Sequence, residues 1–373
     1  MKRILLVTSV YTGAGHQSIS ESLTEQFSGM PDVEVQVIDG FELAGRIGVR
    51  ASKVYGTVTR HAPAVYNAAC RFLMKHPPRF GMEARLYSRR FMACIRRFHP
   101  DLILTVHSLF NIVLTRMLKR HGLNIPVVVL QADIINIHST WCNEDARMTI
   151  CPTQEAFDAS VRQGMRPEKM TVLGLPVRSR FCVAARTHEG EEEHISGPLR
   201  CLMMSGGEGS GSLKAYAEAI LEDTEAELTI ICGRNKKLYH QLRNSLKAKY
   251  GNRVNVLGFV KDIEQIMLNS DLLIARGSPN TLYEAVMTQL PVIIVQSCLW
   301  QEVDNAGLMQ HYGLGVGCES SADAPRIIQR LLSNHGAGLQ EIRAAQHDFR
   351  SFENAREIAE RVAAMAEPLD YTV

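Results

Sequence analysis

The sequence has 373 residues, of which 46% are hydrophobic and 21% charged, and its formal net charge is only +2. This is the composition of a folded protein with a sizeable core, and a chain of this length usually divides into two domains. It excludes a largely disordered chain, and no apolar run approaches the roughly 20 residues of a membrane-spanning helix, so we expect any membrane role to be peripheral.

The charge is unevenly distributed along the chain. Residues 41–98 hold twelve Lys or Arg but only two acidic residues, Glu42 and Glu83, a net charge of +10. Apolar residues such as Tyr55, Phe72 and Phe91 alternate with these cations, a pattern typical of a surface that lies on an anionic membrane. The charge alone suits nucleic acid equally well, and a solvated helix face is a third interpretation.

Strand-like apolar runs alternate with helical patterns through residues 1–183, which indicates a first domain with a parallel sheet. Its predicted strands are 4–7, 33–38, 102–106, 127–130, 148–151 and 171–173. The polar, acidic stretch 184–198 ends in Gly-Pro and is predicted to be a linker.

A second series of strands and helices occupies residues 199–345 and predicts a second domain of the same architecture. Its predicted strands are 199–204, 228–232, 254–257, 272–274 and 292–295. Residues 323–334 and 338–366 are predicted as terminal helices, and we expect the segment 346–373 to pack back towards the first domain. The predicted fold class is therefore α/β, with two Rossmann-like domains.

The nine cysteines are scattered through apolar segments, without a C-x-x-C motif or the spacing of a zinc site. They are predicted to be reduced core residues of a cytoplasmic protein.

The first strand leads into TSVYTGAGHQS, a glycine-containing turn that opens a helix. The backbone amides and the positive helix end favour a polar or anionic ligand, although many such turns are plain tight turns. His16 follows the turn, where the helix field disfavours its protonated form, so it is a candidate for accepting a proton. A hydrogen-bonded structural histidine is the alternative.

The second domain opens with MMSGGEGSGS, where four glycines crowd a strand-to-helix turn that a diphosphate can approach. A dinucleotide is disfavoured, because the G-x-G-x-x-G spacing is absent and the next strand leads into CGRNKK instead of an acidic residue.

Two further segments carry candidate ligand contacts. RGSPNTLYEAV predicts a turn and then a helix with Thr281 and Glu284 on its first turn, where the Glu284 carboxylate suits a ribose or merely complements the helix dipole. Gln301, Glu302 and Asn305 follow the next strand and suit sugar hydroxyls, or form a solvated loop.

The chain resembles the monogalactosyldiacylglycerol synthases of plants and their bacterial diacylglycerol glycosyltransferase relatives. The resemblance covers most of the chain, and its motifs occur in one order: TGAGH, HPDLILTVHSL, ADIINIHSTWCNEDARMTICPTQEAF, MMSGGEGSG, ICGRNKKL, IARGSPNTLYEAV and WQEVDN. It implies the GT-B fold, with two parallel sheets facing across a cleft. It also implies inverting transfer of glucose or galactose from a UDP-sugar to diacylglycerol or a related lipid, without metal or cofactor.

The resemblance further implies which residues contact the donor in the second domain. These are Gly206, Gly207, Glu208 and Gly209 at the diphosphate; Arg234, Gly258, Phe259 and Val260 at the uracil; Pro279, Asn280, Thr281 and Glu284 at the phosphate and ribose; and Gln301, Glu302 and Asn305 at the hexose.

In the first domain the resemblance implies that His16 or Asp133 activates the acceptor hydroxyl, with Gly15 and His138 on the acceptor side. The implied partners are a UDP-sugar, diacylglycerol or a similar lipid, and an anionic membrane docked by residues 41–98, with no nucleic acid. The expected location is cytoplasmic and peripheral on the cell membrane.

Six residues depart from the family pattern: Ala132, Ser139, Ser278, Asn280, Trp300 and Asp304. Because several of them flank the implied sugar pocket, the identity of the sugar stays open. Two other functions stay open as well, a UDP-sugar epimerase of the same fold and a non-catalytic regulator that binds UDP-sugar or lipid.

Overall fold

A computed structural model describes residues 1–75, 83–187, 197–204, 213–369 and 371. The chain forms two compact units. The first comprises Met1–Arg178, Leu299–Gln301 and Glu353–Val373, and the second comprises Ser179–Cys298 and Glu302–Phe352.

The first unit contains a six-stranded parallel sheet. Its strands are β1 (Lys2–Thr8), β2 (Val33–Asp39), β3 (Leu102–Thr105), β4 (Val127–Leu130), β5 (Met148–Cys151) and β6 (Met170–Val172). They lie in the order β2-β1-β3-β4-β5-β6, with Ile4 opposite Val35 on one side and Leu102 on the other. The interior of β1 and β3 has no exposed residue, as expected for central strands of a parallel sheet covered on both faces.

The helices of the first unit follow its strands, and three consecutive ones lie inside the basic segment 41–98. They are α1 (Ala14–Ser28), α2 (Gly45–His61), α3 (Pro63–Lys75), α4 (Glu83–Phe98), α5 (Ser108–Arg120) and α6 (Gln154–Arg162). The C-terminal helix (Asn354–Met365) also belongs to this unit and packs against α1. The ammonium group of Lys2 donates a 2.8 Å hydrogen bond to the carbonyl of Ala363, which ties that helix to the start of β1.

The second unit contains another six-stranded parallel sheet. Its strands are β7 (Arg200–Met204), β8 (Glu227–Ile231), β9 (Val254–Leu257), β10 (Leu272–Arg276), β11 (Val292–Val295) and β12 (Val316–Cys318). Read from the β9 edge, the order is β9-β8-β7-β10-β11-β12, which is the strand order of the Rossmann fold.

The helices of the second unit cover its sheet. They are α7 (Ser179–Thr187), α8 (Leu213–Asp223), α9 (Lys236–Tyr250), α10 (Ile263–Leu268), α11 (Pro279–Met287), α12 (Asn305–His311) and α13 (Ala324–Phe349). Their apolar faces meet β7 and β8 in a core that includes Met203, Ala217, Ile220, Ile230 and Leu242.

The elements differ from the sequence-based prediction at two places. The three-residue strand β12 was not predicted, because a Val-Gly-Cys run is too short to show a period. Its approach to β11 depends on Gly315, where an added Cβ would lie 2.6 Å from a methyl carbon of Val292.

The prediction of one helix over residues 338–366 was wrong. Helix α13 is kinked at Ser333–Gly336 and ends before Arg350, whose backbone is extended, and the C-terminal helix starts only at Asn354. The ring of Phe352 lies 4.7 Å from the guanidinium carbons of both Arg186 and Arg350, which holds this stretch away from helical geometry.

The boundary between the two units also lies earlier in the chain than residue 183, where the sequence predicted it. Helix α7 belongs to the second unit from Ser179 onward, because it packs on α10 and α11. Of the predicted linker 184–198, residues 184–187 are the last turn of α7, and residues 188–196 lie outside the described residues.

Candidate functional site

Both sheets reverse their strand order at one point, between β1 and β3 in the first unit and between β7 and β10 in the second. In open parallel sheets, ligands bind beyond the carboxyl ends of the strands at such a point. The predicted residues fall there, because the turn before His16 follows β1 and the turn before Pro279 follows β10.

The turn after β1 is held by hydrogen bonds to a single carboxylate. Asp39 ends β2, and its two oxygens accept hydrogen bonds from the backbone N–H groups of Val10 at 2.6 Å and Phe41 at 2.7 Å. Gly13 precedes α1 with φ +118°, in the region that favours glycine. Gly15 lies in the first turn of α1, directly before His16.

His16 is oriented so that one ring nitrogen is available to a substrate. Its Nδ1 lies 2.7 Å from the carbonyl oxygen of Val106, and because a carbonyl oxygen only accepts, Nδ1 carries the proton and Nε2 keeps its lone pair. Burial lowers the pKa of His16 to about 4, against a smaller opposing effect of the bond to Val106. The ring is therefore neutral at pH 7 and able to accept a proton at Nε2.

A second histidine, which sequence reasoning did not single out, lies beside His16. The ring centroids of His16 and His107 are 4.4 Å apart, and Nε2 of His107 lies 3.1 Å from the hydroxyl of Thr12 in the glycine turn. Burial, and secondarily His16, lowers the pKa of His107 well below its ordinary value. A usable signal was present in the sequence, because His107 follows the end of a predicted strand just as the glycine turn does.

Asp133, the other predicted base, lies past the carboxyl end of β4. One of its carboxylate oxygens accepts a 2.6 Å hydrogen bond from the indole Nε1 of Trp141, a side chain that is fully buried. This hydrogen bond to a buried indole ring fixes the orientation of the Asp133 carboxylate.

His138 has both ring nitrogens engaged. Its Nδ1 accepts from the backbone N–H of Thr140 at 3.2 Å, so Nε2 carries the proton and lies 3.3 Å from the carbonyl oxygen of Cys70. The ring of Trp300 meets it edge to face, with centroids 6.0 Å apart. Trp300 is held in the first unit by hydrogen bonds of its backbone to Asn67 and Asn136. His138 therefore packs against Trp300 and Cys70, and both of its ring nitrogens are already hydrogen-bonded within the protein.

The glycine turn predicted to face the diphosphate, Gly206, Gly207, Glu208 and Gly209, lies outside the described residues. The neighbouring uracil candidates are described. The guanidinium of Arg234 lies 5.1 Å from the ring centroid of Phe259, which is 57% exposed and can offer its face to a base. Gly258 and Val260 flank that ring in the turn after β9.

Helix α11 starts at Pro279, followed by Asn280 and the buried Thr281. The expectation that Glu284 lies on the first turn was wrong, because it is the sixth residue of the helix and only 6% exposed. A buried second-turn carboxylate is not explained by the helix dipole, whose effect is confined to the first turn.

The predicted hexose cluster is divided by the structure. Gln301 belongs to the first unit, whereas Glu302 and Asn305 belong to the second. Glu302 Oε2 accepts from the hydroxyl of Ser297 at 2.7 Å and lies 2.9 Å from Nε of Arg276. Arg276, which sequence reasoning missed, is the last residue of β10 and is thus a further cation at the switch point.

Asn305 is fully buried at the start of α12. Its amide nitrogen donates a 2.6 Å hydrogen bond to the carbonyl of Gly277, and its Oδ1 has no hydrogen-bond partner within the described part of the chain. An unpaired buried amide oxygen is costly, and a ligand hydroxyl would relieve that cost.

The basic segment exposes both charge and apolar surface. All eight Lys or Arg whose side chains are described there are exposed, as are Ile47, Val54, Val65 and Phe72, at 60–63% each. Arg46, Arg50 and Lys53 of α2 line a cavity of about 390 Å³ with Arg90 of α4. Arg79 lies outside the described residues.

All nine cysteines are free thiols. The expectation that all are core residues was wrong for Cys298, which is exposed. Among the helices that the structure describes, none has the length and apolar character needed to cross a bilayer. Within the same residues, no three His, Cys, Asp or Glu side chains converge as metal ligands do.

Comparison with known proteins places these sites in a family context. The family model described as monogalactosyldiacylglycerol (MGDG) synthase matches residues 16–177, and that of the glycosyltransferase family 28 C-terminal domain matches residues 201–310. The first match contains His16, His107 and Asp133, and the second contains Arg234, Glu284 and Glu302.

Similar curated proteins include a probable monogalactosyldiacylglycerol synthase of Nicotiana tabacum, 28% identical over 89% of this chain and 64% of its own length. The monogalactosyldiacylglycerol synthase of Spinacia oleracea is 29% identical over 91% of this chain and 68% of its own length. Both are named as chloroplastic. The chain thus spans about two thirds of the length of these relatives.

Solved structures share the fold at low sequence identity. MurG of Acinetobacter baumannii has a TM-score of 0.67 at 13% identity, and the UDP-GlcNAc 2-epimerase of Neisseria meningitidis has 0.65 at 11%; each comparison covers 98% of this chain and 100% of the other. Anabaena Alr3699/HepE in complex with UDP has 0.59 at 17%, with the same coverage. Taken with the two family models, these likenesses show that the chain has the GT-B fold and is similar to the monogalactosyldiacylglycerol synthases along about nine tenths of its length.

Proposed function

We propose that this protein is a glycosyltransferase that moves a hexose from a UDP-sugar to diacylglycerol or a closely related lipid. The observation that carries the proposal is the state of His16: neutral, fixed through Nδ1, and with Nε2 available beside the glycine turn at the switch point of the first sheet. The names of the relatives, which are monogalactosyldiacylglycerol synthases, supply the lipid acceptor.

The proposed reaction is a direct displacement with inversion. His16 Nε2 takes the proton of the acceptor hydroxyl, whose oxygen forms a bond to the anomeric carbon while the bond from that carbon to the β-phosphate oxygen of UDP breaks. The electron pair leaves with UDP, whose added negative charge Arg234 and helix-end amides stabilise. Asp133 is the alternative base and otherwise orients the acceptor. The scheme assigns stabilisation of the leaving group to Arg234 and helix-end amides and therefore requires no metal.

Residues of the second unit would bind the donor. The Arg234–Phe259 pair suits the uracil, since an exposed ring backed by a guanidinium offers a stacking face. Glu284 suits the ribose hydroxyls, and the unpaired Oδ1 of Asn305 suits a hexose hydroxyl. Glu302 is a further proposed hexose contact of this unit, with Arg276 orienting its carboxylate. Gln301, which the resemblance also implies at the hexose, belongs to the first unit.

The acceptor is a membrane lipid, so the proposal includes docking of the first unit on an anionic membrane. Exposed cations and exposed apolar side chains on α2 and α3 are the two features of a helix that lies in the interface of a bilayer. We infer a peripheral location on the cytoplasmic face of the cell membrane.

The epimerase alternative shares the fold, since epimerase structures match nearly as well as MurG does. Sequence relationship favours the transferase, because the curated relatives at 28–29% identity are synthases. An epimerase would interconvert the UDP-sugar in the absence of lipid, whereas the proposed transferase would consume it only when the acceptor is present.

A donor and acceptor screen tests the proposal. The protein is incubated with UDP-glucose, UDP-galactose or UDP-N-acetylglucosamine and with vesicles that contain diacylglycerol, and the lipids are analysed by mass spectrometry. The expected product is a monohexosyl diacylglycerol and equimolar UDP. Tight UDP binding without product from any donor would instead favour the non-catalytic regulator.

A further inference from the structure

His107 ties the glycine turn to the end of the neighbouring strand. It lies two residues beyond β3, and its Nε2 is 3.1 Å from the hydroxyl oxygen of Thr12, which immediately precedes Gly13. The chain reaches this contact across 95 residues of sequence, so the bond is a tertiary one.

The protonation of His107 is fixed by its own neighbours. Its Nδ1 accepts a 3.2 Å hydrogen bond from the backbone N–H of Leu109, at the start of α5. The proton therefore resides on Nε2, which donates to Thr12. The rings of Phe41 and Phe110 lie 5.6 Å and 4.9 Å from the imidazole between centroids, and the side chain is 4% exposed.

Two consecutive residues, Val106 and His107, thus contact the ring of His16 and the glycine turn that precedes it. Val106 accepts the Nδ1–H of His16, and its own N–H donates to the carbonyl of Val7 at 3.1 Å, which fixes it to β1. His107 holds Thr12 and packs its ring 4.4 Å from that of His16. Rotation of the His16 ring would break the first bond and collide with the second imidazole.

We propose that His107 is a positioning residue for His16: through the Thr12 hydroxyl and its ring contact it fixes the glycine turn and the direction of Nε2 of His16. This inference rests on the proposed role of His16 as the base. The simpler alternative is that His107 only starts helix α5 by accepting the Leu109 N–H.

Variants separate the two roles of His107. In His107→Asn the side-chain oxygen occupies the place of Nδ1, so helix α5 keeps its acceptor while the bond to Thr12 is lost. Thr12→Val removes the same bond from the other side, and Thr12→Ser restores a hydroxyl there. Thr24→Val is the matched control, because Thr24 lies on α1 with His16 and its hydroxyl donates to the Ser20 carbonyl, at 2.7 Å.

The first measurement is steady-state transfer to diacylglycerol in vesicles. We expect His107→Asn and Thr12→Val each to lower kcat by about ten- to a hundredfold, with the KM for UDP-sugar and the UDP Kd within about twofold of wild type. The double variant should lose no more than His107→Asn alone, because that variant has already lost the bond to Thr12. Thr12→Ser and Thr24→Val should retain kcat. Normal kcat in Thr12→Val, or losses that multiply, would overturn the inference.

The second measurement needs no activity. With ¹⁵N-labelled histidine, the ring nitrogen shifts of His16 report its tautomer directly. We expect the Nδ1–H form in the wild type and a mixture of both neutral tautomers in His107→Asn and Thr12→Val. An unchanged tautomer in both variants contradicts the positioning role even if the protein transfers no sugar, whereas absent transfer by the wild type contradicts only the proposed function.

Discussion

The carbonyl oxygen of Val106 accepts a 2.7 Å hydrogen bond from Nδ1 of His16. This one contact decides the chemistry of the histidine, because it places the proton on Nδ1 and leaves the lone pair on Nε2. Burial keeps the ring neutral, so the proposed base can accept a proton at neutral pH.

His16→Ala should lower turnover by about two to four orders of magnitude, because it removes the proposed base at the glycine turn. The UDP Kd should stay as in the wild type, since the proposed contacts to UDP lie on the second unit. Kinetics with UDP-sugar and diacylglycerol, together with calorimetric UDP titration, check both expectations. His121→Ala, at an exposed histidine of the same unit, is the control and should keep full turnover.

Asp133→Asn removes a charge while keeping an oxygen that accepts the Trp141 indole N–H. If Asp133 orients the acceptor, kcat should fall by about tenfold with an unchanged UDP Kd, whereas a loss equal to that of His16→Ala would make it the base. Near-normal turnover in both variants would sink the assignment of either residue.

Glu284→Gln should weaken UDP binding by about ten- to a hundredfold, because a charged acceptor for two ribose hydroxyls becomes a neutral amide. Calorimetric titration of UDP measures this. The control is Glu264→Gln, an equally buried glutamate of the second unit that lies 3.4 Å from Arg180 and has no proposed ligand role. An unchanged Kd in Glu284→Gln, or an equal loss in both variants, counts against the ribose contact.

The lowered pKa of His16 predicts a loss of stability in acid. Its pKa is about 4 in the folded state and about 6.5 in the unfolded state, so the unfolded state binds the proton first as the pH falls through 6.5. At pH 5 this difference favours unfolding by about 2 kcal/mol relative to pH 7. Urea unfolding of wild type and His16→Asn at both pH values measures it, and the variant should show a smaller acid loss.

Membrane docking should depend on charge. The double reversal Arg46→Glu and Arg50→Glu, two exposed cations four residues apart on α2, should abolish flotation with anionic vesicles and leave UDP binding intact. The matched control reverses Arg243 and Lys247, exposed cations with the same spacing on α9 of the second unit. Flotation that does not change with salt concentration or with the charge of the lipids would contradict electrostatic docking.

Much of the fold was predictable from local pattern. Strands such as Val127–Leu130 and Val292–Val295 were predicted to the residue, because central strands of a parallel sheet are short, wholly apolar and bounded by turns. Strand β12 and the break at Arg350 were not, since three residues show no period and the break depends on Phe352 packing between two guanidinium groups.

The sequence by itself determined the two series of strands and helices, the charge of residues 41–98, the glycine turn before His16 and the family resemblance. Each of these is a local or additive property of the chain. Only the tertiary structure decided that His107 stands beside His16, that Glu284 is buried on a second helical turn and that Arg276 holds Glu302. The contacts of His107 with His16 and of Arg276 with Glu302 join segments at the ends of different strands, at a point set by the strand order. Strand order is a property of the whole sheet that no local segment encodes.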